Sequence, residues 1–282
     1  MATFLEILKA ILIGIVQGIT EWLPVSSTGH MILLNEFIKL DVSEAFFELF
    51  EVVIQFGSIL AVIILFFDKL NPFSKKKDGE MKKKTWTLWL KVIVAFLPAA
   101  IIGLPLDDWF QAHFYNYIAV SVALIVYGVL FIVIERRNKN KPKKYEDVYD
   151  IDYPTSLKIG CFQVLSIIPG TSRSGSTILG ASLVGVSRTA AAEFSFFMAI
   201  PVMLGASAYK VLKYMVQVGV ALTSTEIIVL IVGTLTAFLV SVTVIKFLMD
   251  FVRKHSFESF GWYRIALGTV VIIYFLIKNF VF

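Results

Sequence analysis

Cysteine is almost absent from this chain. One thiol in 282 residues, Cys161, excludes an intramolecular disulfide framework, and its place in an apolar run makes it read as a small buried hydrophobe. Charge is scarce too. Only 17% of the residues are charged against 57% hydrophobic, and mean hydropathy is +0.80, which excludes a soluble domain of this size. The basic excess of +5 is gathered in a few polar loops beside apolar runs, where it argues for orientation in a bilayer and against nucleic-acid binding. A removable signal peptide is not expected either: Glu6 and Lys9 interrupt the first apolar stretch, and no small-residue cleavage site precedes the first polar motif. These exclusions leave an all-α integral membrane protein.

Apolar runs at about 46–67, 86–106, 117–134, 190–214, 226–249 and 260–281 are each long enough to cross a hydrocarbon core of about 30 Å. A short polar turn with Asp107, Asp108 and His113 is expected between the second and third. Two more apolar segments, 4–38 and 156–187, are broken in the middle by polar residues. Basic loops lie at 68–84, 135–144 and 250–255. All three can face the cytoplasm only if 156–187 dips into the membrane and returns to the side it came from, and the same count makes 4–38 enter from outside.

The chain thus reads as a single polytopic domain of six transmembrane helices plus two re-entrant helix pairs. Its halves, 1–134 and 156–282, form an inverted-topology repeat joined by a cytoplasmic basic loop, 135–155. At a constant offset of 146, Gln17 falls on Gln163, Thr20 on Ser166, Ser26 on Ser172, Thr28 on Ser174 and Gly29 on Gly175. Inverted repeats of broken helices place their site near the midplane, where the half-helix tips meet.

The second break reads QVLSIIPGTSRSGST, residues 163–177. Pro169 and Gly170 end one helix, and Thr171 or Ser172 is a candidate N-cap for the next. Small residues alone would suit close helix packing. Arg173 points elsewhere, because a charge at a membrane helix centre costs about 2.5–3.5 kcal/mol. Its guanidinium, the hydroxyls of Ser172, Ser174 and Thr177, and the N–H groups freed after Gly170 converge as an anion site, most naturally for phosphate.

The first break reads QGITEWLPVSSTGH, residues 17–30. Gln17 and Glu21 share one helix face and Pro24 ends that helix. Ser26, Ser27 and Thr28 are candidates for cap, ligand and nucleophile. His30 lies within reach of them and can take a hydroxyl proton, protonate a leaving oxygen or attack phosphorus itself. Glu51 and Gln55, one turn apart, are candidates to line the same cavity, with Glu48 nearer the interface. Glu193 reads either as site lining or as a partner for Arg173 or a helix end. Trp22, Trp109 and Trp262 read as interfacial aromatics, and His113 and His255 as loop residues.

The stretches QGITEWLPVSSTGH, FEVVIQFGSILAV, PGTSRSGST and EFSFFMAIPVMLGA resemble the bacterial undecaprenyl-diphosphate phosphatase family, also called bacitracin-resistance proteins, over essentially the whole chain. The resemblance implies a membrane enzyme that hydrolyses undecaprenyl diphosphate to undecaprenyl phosphate and phosphate, recycling the lipid carrier for peptidoglycan synthesis and giving bacitracin resistance. It also implies six spans with two re-entrant pairs, the bacterial plasma membrane and a site open to the outer face. Arg173 with Ser172, Ser174, Thr177 and Gly170 then holds the diphosphate, with Gln17, Ser26, Thr28 and Glu51 as further substrate-binding candidates. Ser27 is the candidate nucleophile activated by His30, and the converse, His30 attacking with Ser27 as a ligand, stays open. Glu21 orients His30 or holds a divalent cation, Mg²⁺ or Ca²⁺, with Glu51 as a second candidate ligand.

A transporter or flippase of polyprenyl phosphate needs the same anion site on the same architecture. The Glu21, Ser27 and His30 set favours hydrolysis, since a carrier has no use for a nucleophile beside a base. The oligomeric state is left open, a homodimer included.

Overall fold

The computed structural model describes residues 2–219 and 222–281. In hydrocarbon the backbone must satisfy its own polar groups, and the apolar runs accordingly fold as helices. Helix α1 (Ala2–Thr20) runs to the first break and α2 (Ser27–Phe37) leaves it. Then come α3 (Glu44–Leu65), the single turn α4 (Phe67–Leu70) and α5 (Gly79–Pro98), which passes through a π-helical turn into α6 (Leu104–Phe114). Helix α7 (Tyr117–Asn138) closes the first half. The second half has α8 (Tyr153–Val164) and α9 (Arg173–Leu183) on either side of the second break, then α10 (Arg188–Gln217), α11 (Ser224–Lys254) and α12 (Glu258–Val281). No β-strand occurs among the described residues.

Helix starts carry their own chemistry. Ser43, Asp78, Asn116, Asp152, Ser187 and Thr223 each accept a hydrogen bond from a backbone N–H of the first turn, which satisfies a donor the helix itself cannot. By length and composition seven helices among the described residues can cross a membrane, among them α1 over Thr3–Thr20, in addition to the six runs expected.

Three expectations are corrected. The segment around Asp107, Asp108 and His113 is not a turn but helix α6, where His113 stacks on Trp109 at 4.6 Å; the side chains of the two aspartates lie outside the described residues. Trp22 is not interfacial. It is fully buried, edge-on to Phe196 at 5.2 Å, in a core with Phe194 and Phe197. Cys161 is exposed rather than buried. In a bilayer protein the outward face is as apolar as the core, so an apolar run does not say which face a residue takes.

Both broken segments are hairpins. The Asp41 N–H donates to Glu6 Oε2 at 2.8 Å, so the chain leaving α2 has returned to the level where α1 began. Beyond α9, the N–H of Lys144 donates to Gly185 O at 2.8 Å and that of Ser187 to Tyr145 O at 2.9 Å, beside the segment leading into α8.

The hairpins pack on helices of the opposite half. Gly14 of α1 lies so close to α11 that a Cβ would stand 2.7 Å from Gly233 O, and Gly160 of α8, its counterpart at offset 146, lies where a Cβ would stand 2.2 Å from Ala95 O of α5. Small residues allow this backbone approach. Helices α7 and α12 run antiparallel and cross at Gly128 and Gly261, where a Cβ on either would be 2.7 Å from the other's carbonyl oxygen. Helices α3 and α10 are antiparallel as well, tied by Ser207 Oγ to Val52 O and by Lys210 to Glu48.

Candidate active site

Each break ends in the same backbone device. Ser26 has φ 71° and Ser172 φ 72°, left-handed conformations that non-glycine residues rarely adopt and that cost about 1–3 kcal/mol. The Oγ of Ser26 accepts from the Gly29 N–H at 3.4 Å, and that of Ser172 from the Gly175 N–H at 3.1 Å. Each serine therefore caps the outgoing helix, α2 or α9, whose first-turn N–H groups have no intrahelical acceptor and carry the positive end of the helix dipole.

Glu21 and Arg173 bring the breaks together. Arg173 Nη2 donates to Glu21 Oε1 at 2.8 Å, its Nη1 donates to Ser195 O at 2.9 Å, and both side chains are nearly buried. The second carboxylate oxygen accepts from Gln17 Nε2 at 2.9 Å, one turn earlier on α1. The guanidinium lies 5.7 Å from the ring centroid of the buried Trp22. Ser174 Oγ donates to the carbonyls of Glu21 and Leu23, and Thr177 Oγ1 lies 2.7 Å from Ser195 Oγ. These two hydroxyls stitch α9 to the first break and to α10. Gly170, at φ 92°, sits where a Cβ would be 2.6 Å from Val120 O, so glycine is needed there twice over.

His30 is held from both sides. Its Nδ1 lies 2.7 Å from Ser26 O, and a carbonyl only accepts, so Nδ1 carries the proton. Its Nε2 then faces the Tyr263 hydroxyl at 2.7 Å as acceptor. Neither ring nitrogen is turned to Ser27, which with Thr28 lies partly buried in the first turn of α2. Glu51 and Gln55 stay partly buried on α3, with no hydrogen bond to either break among the described residues. Glu48 pairs with Lys210, and Glu193 pairs with Lys69 at 2.6 Å, not with Arg173.

Sequence reading passed over Ser195, Tyr263 and Arg264. The last left a signal: a lone arginine inside the apolar run 260–281 is as costly as Arg173 and as informative. A resident metal finds no ready cage. Both Glu21 oxygens are engaged by Arg173 and Gln17, and no group of three His, Cys, Asp or Glu side chains is gathered among the described residues. What the arrangement does offer is a cation, two dipole-bearing helix starts, a serine and a histidine at the junction of two hairpins, a combination suited to holding and cleaving a phosphate ester or anhydride.

Comparison with known proteins points the same way. The family model described as bacitracin resistance protein BacA matches residues 10–270. The chain is 58% identical to an undecaprenyl-diphosphatase of Enterococcus faecalis over 97% of its own length and 99% of that protein's. It is 55% identical to undecaprenyl-diphosphatase 1 of Clostridium acetobutylicum, covering 97% and 98%, and 54% identical to an undecaprenyl-diphosphatase of Limosilactobacillus fermentum, covering 96% and 98%. With the match running through both breaks and every spanning helix, the chain belongs to the bacitracin resistance protein family.

Proposed function

We propose that this membrane enzyme hydrolyses undecaprenyl diphosphate to undecaprenyl phosphate and inorganic phosphate, returning the carrier lipid to cell-wall synthesis and conferring bacitracin resistance. The observation that carries it is the Glu21–Arg173 pair, which joins an anion-binding helix start to the break holding Ser27 and His30. The names of relatives more than 50% identical over nearly the full length support it.

The terminal phosphate docks on Arg173 and the N–H groups opening α9 and α2, exchanging one anionic partner of the guanidinium, Glu21, for another. Ser27 Oγ attacks the terminal phosphorus, its proton passes to His30 Nε2 once Tyr263 yields that position, and undecaprenyl phosphate leaves. Water then hydrolyses the phosphoserine. The converse assignment, with His30 Nε2 attacking, draws support from the absence of a Ser27–His30 hydrogen bond. A divalent cation is proposed only as one carried by the diphosphate, with Glu21 as its protein ligand.

The two hairpins are proposed to be re-entrant, in an inverted repeat of six spans. The antiparallel packing of α3 with α10 and of α7 with α12, each pair occupying equivalent places in the two halves, supports this. Loop charge supports a plasma-membrane orientation with the site open outward.

The test is phosphate release from undecaprenyl diphosphate by purified protein, with and without EDTA, for wild type beside Ser27→Ala, His30→Ala and Arg173→Ala. Loss in all three variants supports one site built from both breaks, and loss with EDTA supports the cation. An inert but folded wild type, followed by lipid-phosphate translocation in vesicles, would replace hydrolysis with transport.

A further inference from the structure

Arg264, on α12, is fully buried. It belongs to neither hairpin, yet it holds both. Its Nη1 donates to Pro24 O at 3.2 Å, and its Nη2 donates to Gly170 O at 2.8 Å and Thr171 O at 2.9 Å. The acceptors lie just ahead of the strained caps: Pro24 two residues before Ser26, Gly170 and Thr171 directly before Ser172. They are backbone carbonyls of the non-helical turns that join α1 to α2 and α8 to α9.

No carboxylate pairs with Arg264 among the described residues; its guanidinium hydrogen-bonds to these carbonyls and lies 5.6 Å from the ring of Tyr127. A buried cation without a counter-charge is costly and is retained where it does something that an apolar side chain cannot. A second contact fixes its place. A Cβ on Gly175, in the first turn of α9, would lie 3.1 Å from Arg264 Nη1, so the guanidinium is wedged against the helix start that presents Arg173.

The geometry points to Arg264 as a positioning residue: one guanidinium bridges the carbonyls of both breaks, holds Ser26 and Ser172 in their left-handed conformation, and so fixes Ser27 and His30 relative to Arg173. It acts by setting the separation and tilt of the two half-sites, and a displacement of about 1 Å in such a site lowers the rate by about 10²-fold. This rests on the phosphatase reading above, and an inert wild-type enzyme would show that reading, not this one, to be at fault.

The experiment compares Arg264→Lys, Arg264→Met and Gly175→Ala with wild type, each taken from the monodisperse peak of a sizing column with its melting temperature recorded. Phosphate release gives kcat and KM, and inhibition by orthovanadate, which takes up the five-coordinate geometry of phosphoryl transfer, reports on alignment. A positioning role predicts kcat reduced tenfold to a hundredfold in the two Arg264 variants, vanadate inhibition weakened by a similar factor, and KM within threefold. Arg264→Lys retains the charge but not the fork and should remain well below wild type. A role in folding alone predicts less protein, or a lower melting temperature, with wild-type kcat and vanadate affinity in what folds, and that result overturns the assignment. If neither Arg264 variant folds, Gly175→Ala decides. It presses on the guanidinium and on the Ser172 side chain, 3.2 Å away, without removing either; a kcat within twofold of wild type would overturn the proposal, whereas a fall of fivefold or more with KM within threefold and vanadate inhibition weakened in step supports it.

Discussion

Ser26 and Ser172 stand 146 residues apart and share one conformation, φ near 70° with the side chain bonded to the N–H of the glycine three residues on. A strained backbone repeated at two places in one chain is held by its surroundings, here by Arg264 reaching both turns from α12. The consequence is a site whose two halves are locally stiff and mutually aligned before any substrate arrives.

Arg173 supplies both charge and fork. Arg173→Ala leaves Glu21 buried without its cationic partner, which costs about 3–5 kcal/mol of stability, and removes the proposed anion ligand. Arg173→Lys keeps the charge but cannot hold Glu21 Oε1 and Ser195 O together. The expected result is no measurable phosphate release for Ala and a kcat reduced about 10²-fold for Lys. Thermal melts should rank wild type above Lys above Ala.

Tyr263 occupies the His30 nitrogen that the proposed proton transfer would use. Tyr263→Phe retains the ring that stacks on the imidazole at 5.6 Å and removes only the hydroxyl. The kcat of the variant should equal or exceed that of wild type. A fall greater than tenfold would mean that the hydroxyl takes part in the reaction rather than parking the histidine.

Close backbone contact makes Gly160 irreplaceable in a way Gly79 is not. A Cβ at 160 would stand 2.2 Å from Ala95 O, which a rigid helix pair cannot relieve without shifting, while at 79 nothing lies within 4 Å. Overpacking of this kind costs about 1–3 kcal/mol or more. Gly160→Ala should lower the melting temperature by several degrees, and Gly79→Ala, at the start of α5, should leave it unchanged or raise it.

Outside the spans, Asp152 caps α8. Hydrogen bonds from Thr155 and from the Tyr145 hydroxyl hold its carboxyl well below the usual carboxylate range. Because the folded-state value is depressed, its contribution is fully present above the unfolded value of about 4 and disappears as the pH falls through the lower folded value. Melting temperature should therefore not vary with pH on account of this group between pH 8 and 5, and should fall below about pH 4. Asp152→Asn keeps the cap but not the titration, and the acid-side decline should be shallower in the variant.

Much of this was legible because polar residues are so expensive in hydrocarbon. Pro24, Pro169 and Gly170 mark the breaks, and Glu21 and Arg173, charges at equivalent depth, are found paired. The burial of Trp22 was not legible, since a membrane helix is apolar on its lipid side and its core side alike. Nor were Tyr263 and Arg264, whose partners lie 233 and 240 residues away and which stand in a run that otherwise looks like an ordinary span. Helix α6 was hidden by its two aspartates, which read as a turn when only their polarity is weighed.

The separation of 152 positions between Glu21 and Arg173 also has a meaning in time. At about 5–20 residues per second, the ribosome delivers the carboxylate roughly 8–30 s before its partner. For that interval the first hairpin carries a glutamate with no counter-charge from α9, and Arg264, which secures its turn, emerges later still. The first hairpin therefore cannot settle in its final place when it is made. Its contacts with α9 and α12 are completed only once the second hairpin and α12 have been made, so that the junction of the two hairpins is among the last parts of the molecule to form.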